Sequence, residues 1–489
     1  MQTRFDRWLF AGLVLLALLL ISRGPNSMDG DAPHYLAVSH SLVHDFDLDL
    51  TNQYDPATEY LFYPGEMGGH ARPGRGGRLY PYHYIGLSVA LAPIYFIAEQ
   101  IALALPDPLL EAARWDRERA CRDLLSLALS LLYAATAVLT LRTTRMIMMP
   151  AGSPEGGPQG EGQEEGQKEG RVAARRAAQV SVFATALAFA TPPLLSISIL
   201  AFTEIPAAFL CAWFLYGQLG RVQKPQLQLL ALALLPWLHI RYAVISVSGF
   251  VWMVAQGPPR AHGLSKRIEF YVLLPVLSAV LLAASGWWMF GSLLPFGQFE
   301  SGLGLSVGTW GAGLVGLFLD RHFGLLAVAP FWLLALAGVR SLSRSHAGYV
   351  GFAVVSLIGT WIIAGLNTMW WGGYCPPARL IIPILPLLVP LLAAGLLSLL
   401  RSSVRWLVYL TVGWSAVMTA LLLVEPVRLW SDAENGTGLS SAFPLVPRIF
   451  PSLADTATPW LHVALALTVT TILAAIVVRA SRATARPPC

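Results

Sequence analysis

The chain has 489 residues, of which 55% are hydrophobic and only 12% charged, and its mean hydropathy is +0.58. Soluble domains carry roughly 25% charged residues, so the composition excludes an ordinary soluble protein and indicates one that crosses a membrane many times. The formal net charge of +5 is better explained by membrane topology than by nucleic-acid binding. Four scattered cysteines without a CxxC pair indicate neither a zinc site nor a disulfide framework.

Apolar segments follow one another along most of the chain. The first, Trp8 to Ile21, follows Arg4 and Arg7, which predicts an uncleaved anchor with a cytoplasmic N-terminus. Further membrane spans are predicted near residues 124–141, 179–199, 205–219, 226–240, 242–256, 268–290, 322–339, 348–366, 380–399, 405–424 and 460–478. Residues 84–106 are also apolar, but a proline and Glu99 interrupt them.

The side on which every later loop lies depends on whether residues 84–106 cross the membrane. If they form a re-entrant or surface helix, 20 of the 33 lysines and arginines lie inside; if they cross, 11 do. The positive-inside rule therefore favours an all-α integral membrane protein with about twelve transmembrane helices plus one re-entrant or juxtamembrane helix. In this arrangement the Gly- and Glu-rich residues 150–170 form a disordered cytoplasmic insertion.

A long polar loop, residues 27–83, follows the first anchor on the predicted outer side. It contains eight acidic residues and five of the ten histidines, so we interpret it as the reaction-centre loop of a membrane enzyme. Asp29 and Asp31 stand at its start, just before Pro33, which can begin a helix. They form either a solvated turn that caps this helix or a general base made more basic by desolvation.

A second polar group in the same loop contains Arg72, Tyr80 and His83 among several glycines. Glycines allow close backbone approach, and an arginine can bind two phosphate oxygens at once. The alternative is a basic loop that touches anionic lipid headgroups.

Three further ionisable residues, Glu204, Arg241 and Arg379, lie beside apolar helices on the predicted outer side. Charges in such places are costly, and they are functional candidates by default. A helix cap for Glu204 and membrane anchors for the two arginines are the alternatives. Polar residues from distant stretches are thus predicted to converge on one side of the bilayer.

In this order, these residues resemble the GT-C superfamily of lipid-dependent glycosyltransferases, which includes the protein O-mannosyltransferases, the aminoarabinose transferases of lipid A and the oligosaccharyltransferase catalytic subunit. Asp31-Ala-Pro-His-Tyr35 is similar to the family's acidic motif in the first outer loop, with Ala32 where glutamate is usual. Residues 80–86 resemble its proline-containing motif without the usual lysine. Glu204 and His239-Ile-Arg241 fall where members carry acidic and basic residues.

The resemblance implies an enzyme that moves a sugar from a polyprenyl-phosphate donor to an extracytoplasmic acceptor, a cell-envelope glycan, lipid or protein. The Ala- and Arg-rich composition predicts that its membrane is a bacterial plasma membrane. Residues 1–256 would form the catalytic membrane module, and residues 257–489 would complete the lipid and acceptor site. The predicted catalytic residues are Asp31, Asp29 and Glu204, and the predicted substrate-binding residues are His34, Tyr35, Arg72, Tyr80, His83, His239, Arg241, Trp371 and Arg379. No cofactor is predicted, and a divalent metal is left open.

Two other functions fit the composition. A transporter or lipid-linked-sugar flippase would show interrupted helices in pairs, polar residues near the bilayer midplane and repeat symmetry. No such symmetry is visible, and the polar residues cluster at one face. A non-catalytic scaffold would bind a partner through its outer loop and would tolerate charge-neutral changes at Asp31.

Overall fold

The structure is a computed structural model. It describes residues 2–23, 28–63, 67–149, 164–220, 225–256, 264–294, 305–306, 308–431, 438, 440–454 and 460–484. Most of these residues are helical, and their single sheet is a two-stranded antiparallel hairpin. The expected all-α membrane fold is confirmed at this level.

The first half of the fold contains helices α1 to α10 and the hairpin. These helices are α1 Gln2–Arg23, α2 Ala32–His44, α3 Gly86–Ala104, α4 Asp107–Ala113, α5 Arg117–Met148, α6 Glu164–Phe189, α7 Leu194–Ile197, α8 Glu204–Leu219, α9 Pro225–Leu238 and α10 Ala243–Ala255. The hairpin strands are β1 Ala71–Pro73 and β2 Leu79–Pro81, in a register that places Arg72 opposite Tyr80.

The second half contains helices α11 to α19. They are α11 Leu264–Phe290, α12 Trp310–Leu319, α13 Leu325–Val328, α14 Ala335–Ser343, α15 Ala347–Gly365, α16 Leu385–Leu399, α17 Arg405–Val424, α18 Val446–Ile449 and α19 Trp460–Thr484. Short 3-10 turns connect several of them, including Pro330–Leu334 before α14 and Arg379–Ile384 before α16.

Eight of the described helices are long and apolar enough to cross a membrane. They are Arg4–Arg23, Gly86–Ala104, Arg117–Met148, Val272–Phe290, Ala347–Gly365, Arg379–Leu399, Arg405–Val424 and Trp460–Arg482. Four shorter apolar helices, of 10 to 17 residues, accompany them. The count of twelve spans therefore stays a prediction.

The segment Arg379–Leu399 forms the centre of the bundle, because 94% of its apolar window is buried. Its helix α16 approaches α14 so closely that side chains are excluded at the contact. A Cβ at Gly338 would lie 2.0 Å from the carbonyl oxygen of Leu391, and one at Gly395 would lie 2.0 Å from that of Leu334. Small residues at such crossings are the usual means of helix packing in lipid.

Two of the predicted spans are not single helices, and each break contains proline. The segment predicted at 179–199 ends its long helix at Phe189, passes through Pro192 and Pro193, and resumes as the short α7. The segment predicted at 322–339 is divided into α13, a 3-10 turn beginning at Pro330, and α14. Proline lacks the N–H that an uninterrupted helix needs.

Ion pairs between α1 and α5 show how these two helices are oriented relative to each other. Asp6, near the start of α1, accepts hydrogen bonds from Arg142 Nε at 2.9 Å and Arg145 Nη1 at 2.8 Å, near the end of α5. The two helices are therefore antiparallel. If each crosses once, residues 24–116 begin and end on one side of the membrane. The 13-residue α2 is too short to cross, whereas α3 is long enough, so its non-spanning position stays a prediction.

The predicted cytoplasmic insertion lies mostly outside the described residues, which omit 150–163. Its last part is described, and there the expectation of disorder is wrong. Residues 164–170 form the beginning of α6, in continuous helix with the apolar turns that follow.

Candidate functional site

Asp31 is positioned by a tight turn at the start of α2. Its neighbour Gly30 has a φ of +65°, and a Cβ there would lie 2.8 Å from the carbonyl oxygen of Tyr374 and 3.1 Å from the ring of Phe202. Only glycine combines this conformation with so close an approach at little cost. Asp31 takes the N-cap position of α2, but its carboxylate makes no capping hydrogen bond and stays available for other partners.

Arg379 supplies the main partner of Asp31. It begins the 3-10 turn before α16, and its side chain is only 5% exposed. Its Nη2 donates a short hydrogen bond to Asp31 Oδ2, and its Nη1 donates to the carbonyl oxygen of Gly372 at 3.1 Å. The guanidinium lies over the ring of Phe202, 4.1 Å from its centroid.

Glu204 joins Arg379 to Arg241. This carboxylate is fully buried at the first residue of α8, and its Oε1 accepts from Arg379 Nε at 3.1 Å and from Arg241 Nη2 at 2.5 Å. Arg241 Nη2 also donates to the Tyr242 hydroxyl at 2.9 Å. Four charged groups from four distant stretches thus form one chain, Asp31–Arg379–Glu204–Arg241, as the predicted convergence requires.

The charges in this chain decide the protonation of Asp31. Burial would raise the pKa of its carboxyl, but Arg379 and the nearby His83 and His70 outweigh burial, so the pKa lies well below its ordinary value. The expectation that desolvation makes Asp31 more basic is therefore wrong, because the ion pair dominates. Asp31 stays ionised over the physiological range and accepts a proton only as a weak base.

Three histidines adjoin Asp31. The ring of His70 lies 3.9 Å from that of His34 and 5.4 Å from that of His83, between centroids, and His83 Nε2 lies 3.9 Å from Asp31 Oδ1. Burial lowers the pKa of His34 to about 3 and that of His83 to about 4, so both are neutral at neutral pH. Tyr35 packs its ring 4.8 Å from His83 and completes this side of the site.

This part of the site could hold a cation. Asp31, His70 and His83 each offer one ligand atom, and these atoms lie within 4.8 Å of one another. In the part of the chain that the structure describes, the buried Nδ1 of His70 and Nε2 of His83 have no hydrogen-bond partner. A carboxylate with two imidazoles suits Zn²⁺ or a similar divalent ion, so these residues fit the metal that the sequence left open.

The structure places other predicted site residues outside the ion-pair chain. Tyr80 is buried on β2 against the rings of Trp288 and Phe290, with centroids 5.4 and 5.9 Å away, so it packs the hairpin onto the end of α11. The backbone carbonyl oxygen of Trp371 accepts a hydrogen bond from the Cys375 thiol at 3.3 Å. Asp29 contacts the first turn of α2 through its backbone carbonyl oxygen, which accepts from the Ala32 N–H at 3.4 Å.

Two of the predicted site residues, Arg72 and His239, lie next to the ion-pair chain. The guanidinium of Arg72 lies over the ring of Tyr82, 5.1 Å from its centroid, and its charge reaches His70. His239 Nδ1 accepts the backbone N–H of Arg241 at 3.2 Å, and this hydrogen bond shapes the turn between α9 and α10.

Sequence reasoning missed His70, Thr203 and Tyr242 as site residues. His70 lies two residues before Arg72 in the polar loop, but its ring contacts depend on the fold of that loop. The hydroxyls of Tyr242 and Thr203 form a hydrogen bond of 3.1 Å beside Glu204. Their only signal in the sequence is that each adjoins a predicted charged residue.

No protein-family profile and no curated protein matches the sequence. Among solved structures, the chain is similar to the crystal structure of ArnT from Cupriavidus metallidurans bound to undecaprenyl phosphate. The match has a TM-score of 0.44 and 13% identity, and it covers 97% of this chain and 77% of that one. ArnT is an aminoarabinose transferase of the GT-C group that the sequence motifs resemble. A match at this level does not by itself assign a family or an activity.

Proposed function

We propose that this protein is a membrane glycosyltransferase that moves a sugar from a polyprenyl-phosphate donor to an acceptor hydroxyl on the extracytoplasmic face of a bacterial plasma membrane. One observation carries the proposal. The ionised acid of the first polar loop is joined, through buried ion pairs, to Arg379, Glu204 and Arg241 at the ends of apolar helices. Glu204 and Arg379 are buried, and Asp31 and Arg241 are only partly exposed. Maintaining charges in such a place is costly, which favours a functional role for them.

Asp31 suits the role of proton acceptor. In the proposed reaction, the acceptor oxygen forms a bond to the anomeric carbon while the bond from that carbon to the phosphate oxygen breaks. The bonding electrons leave with the polyprenyl phosphate, and the acceptor proton passes to the Asp31 carboxylate. Because Arg379 lowers the basicity of Asp31, proton transfer is expected late, as the acceptor oxygen becomes acidic.

Arg241 is best suited to the donor phosphate. Arg379 is occupied by two carboxylates and a backbone carbonyl. Arg241, in contrast, has a buried Nε that finds no hydrogen-bond partner among the described residues. A phosphate oxygen would satisfy this donor, and a preorganised cation stabilises the negative charge that develops on the leaving group.

The location of the charges favours a transferase over a transporter or flippase. Glu204 is the first residue of α8, Arg241 lies in the turn between α9 and α10, and Arg379 begins the turn before α16. Transporter sites lie in helices interrupted near the bilayer midplane. Here the charged residues lie at helix ends and meet the polar loop.

Transfer can be tested with protein in nanodiscs and a panel of undecaprenyl-phosphate sugars, by measuring the release of undecaprenyl phosphate. Asp31→Asn keeps the shape of the side chain but removes its basicity, so release should fall about 10²–10⁴-fold. The matched control, Asp29→Asn, should have a smaller effect. Transfer by Asp31→Asn at the parent rate would refute the assignment of the base and make Glu204 the next residue to examine.

Donor binding is measured separately by native mass spectrometry with undecaprenyl phosphate as the probe. Arg241→Lys should weaken binding, since one compact charge replaces a planar fork, and Arg241→Ala should weaken it more. Arg117→Ala, which removes an exposed arginine paired with Asp107, is the control and should bind like the parent. If the parent itself bound no polyprenyl phosphate, the proposed donor class would be wrong.

A further inference from the structure

A second group of possible metal ligands lies between α2 and α3, away from the ion-pair chain. His40 and His44 are on α2, and Glu99 is on α3. Each offers one ligand atom, and these atoms lie within 4.8 Å of one another. We propose that His40, His44 and Glu99 form a Zn²⁺ site that joins α2 to α3.

The sequence spacing and the packing of the helices produce this arrangement. Residues four apart lie on one face of a helix, so both imidazoles project from the same side of α2. Beside them, Ser39 Oγ donates to the Ser88 carbonyl oxygen at 3.0 Å, which holds α2 against α3. The ligands therefore come from two helices whose contact is already fixed.

The distances suit tetrahedral zinc. Bonds of 2.0–2.1 Å separate neighbouring ligands by about 3.3 Å. Glu99 Oε2 lies 2.8 Å from His44 Nε2, and its other oxygen, Oε1, lies 3.8 Å from His40 Nδ1, so the carboxylate is within reach of both imidazoles. His40 Nδ1 also lies 2.8 Å from the Tyr95 hydroxyl, a contact that zinc would replace. Water can supply the fourth ligand because the His44 side chain is 38% exposed.

The surroundings of Glu99 also favour a cation. Its side chain is only 8% exposed, and its ion pairs among the described residues are with the two histidines alone. A buried carboxylate without a permanent positive partner is costly, and a divalent ion would supply that charge. The Tyr95 hydroxyl donates to Glu99 Oε1 at 2.5 Å, an orienting hydrogen bond of the kind that accompanies metal ligands.

The site is separate from the proposed reaction centre. Asp31 precedes α2, and at 1.5 Å per residue His40 and His44 lie about 13–20 Å further along the helix. The zinc site therefore does not depend on the proposed function. Its expected role is to hold in place the helix that begins beside Asp31.

Metal binding is tested on the purified full chain in detergent, stripped with EDTA and then titrated with Zn²⁺ or Co²⁺. Bound metal is measured by elemental mass spectrometry, and tetrahedral Co²⁺ by its visible absorption. His40→Ala/His44→Ala should hold one equivalent fewer than the parent, and Glu99→Gln should bind at least tenfold more weakly. His70→Ala/His83→Ala removes the histidines of the group near Asp31. It should still bind the one equivalent of metal that we assign to His40, His44 and Glu99.

Thermal unfolding provides a second measurement in case the double variant folds poorly. Zn²⁺ should raise the Tm of the parent and of His70→Ala/His83→Ala, because a ligand that binds only the folded state stabilises it. The rise should be smaller for Glu99→Gln, which keeps only the group near Asp31 intact. Equal zinc content in the parent and in His40→Ala/His44→Ala, or no zinc bound by the parent, would overturn the proposal.

Discussion

Glu204 is the residue on which the buried charges depend most. Its fully buried carboxylate contacts Arg241 Nη2 at 2.5 Å and Arg379 Nε at 3.1 Å. With Asp31, the group contains two negative and two positive charges, so its net charge is zero. Glu204→Gln keeps the size and one acceptor oxygen of the side chain but leaves a net charge of +1 in a buried site.

Removing one partner of a buried ion pair typically costs about 3–5 kcal/mol, because the remaining charge is left uncompensated. We expect Glu204→Gln to lower the free energy of unfolding by about this amount, measured by reversible unfolding in mixed micelles of increasing SDS fraction. Glu118→Gln is the matched control. Its partner Arg122 lies 3.5 Å away and Glu118 is 40% exposed, so the loss should stay within about 1 kcal/mol.

A third variant separates charge from packing. Glu204→Gln/Arg241→Gln removes one negative and one positive charge, and it should recover part of the lost stability, since the buried group is neutral again. If Glu204→Gln destabilised no more than Glu118→Gln, or if the double variant were less stable by the full sum of both single changes, the four residues would not act as one electrostatic unit.

Two further predictions concern Gly30, which precedes α2, and His83, which lies between β2 and α3. Gly30→Ala should lower the free energy of unfolding by at least about 1 kcal/mol, because of its positive φ and the nearby Tyr374 carbonyl, whereas Gly68→Ala, with open space around it, should not. Burial lowers the pKa of His83 from 6.5 to about 4, so the unfolded chain binds a proton more readily than the folded one. The contribution of neutral His83 to the free energy of unfolding is therefore complete above about pH 6.5. It declines by up to about 3 kcal/mol as the pH falls toward 4. When the free energy of unfolding is measured over a pH series, His83→Gln should lack this decline. A pH dependence equal to that of the parent would contradict the assignment.

Hydropathy and local chemistry were enough to identify the class of the protein and the residues worth examining. The apolar runs predicted the helical membrane fold, and Pro33 marked the start of α2. Glu204, Arg241 and Arg379 stood out because a charge beside apolar helices is costly without a partner. That reasoning predicts that partners exist, and the structure shows the three residues in contact.

Only the tertiary structure decided which groups pair and with what effect. Asp31 and Arg379 are 348 residues apart, and their ion pair reverses the change in basicity that burial alone would cause. The face to which Tyr80 points likewise depends on contacts with a distant helix. So does the approach of Glu99 to His44, which are 55 residues apart. Helix formation and insertion into lipid depend on neighbouring residues, whereas electrostatic partners are set by how the helices pack, which the order of residues along the chain does not reveal.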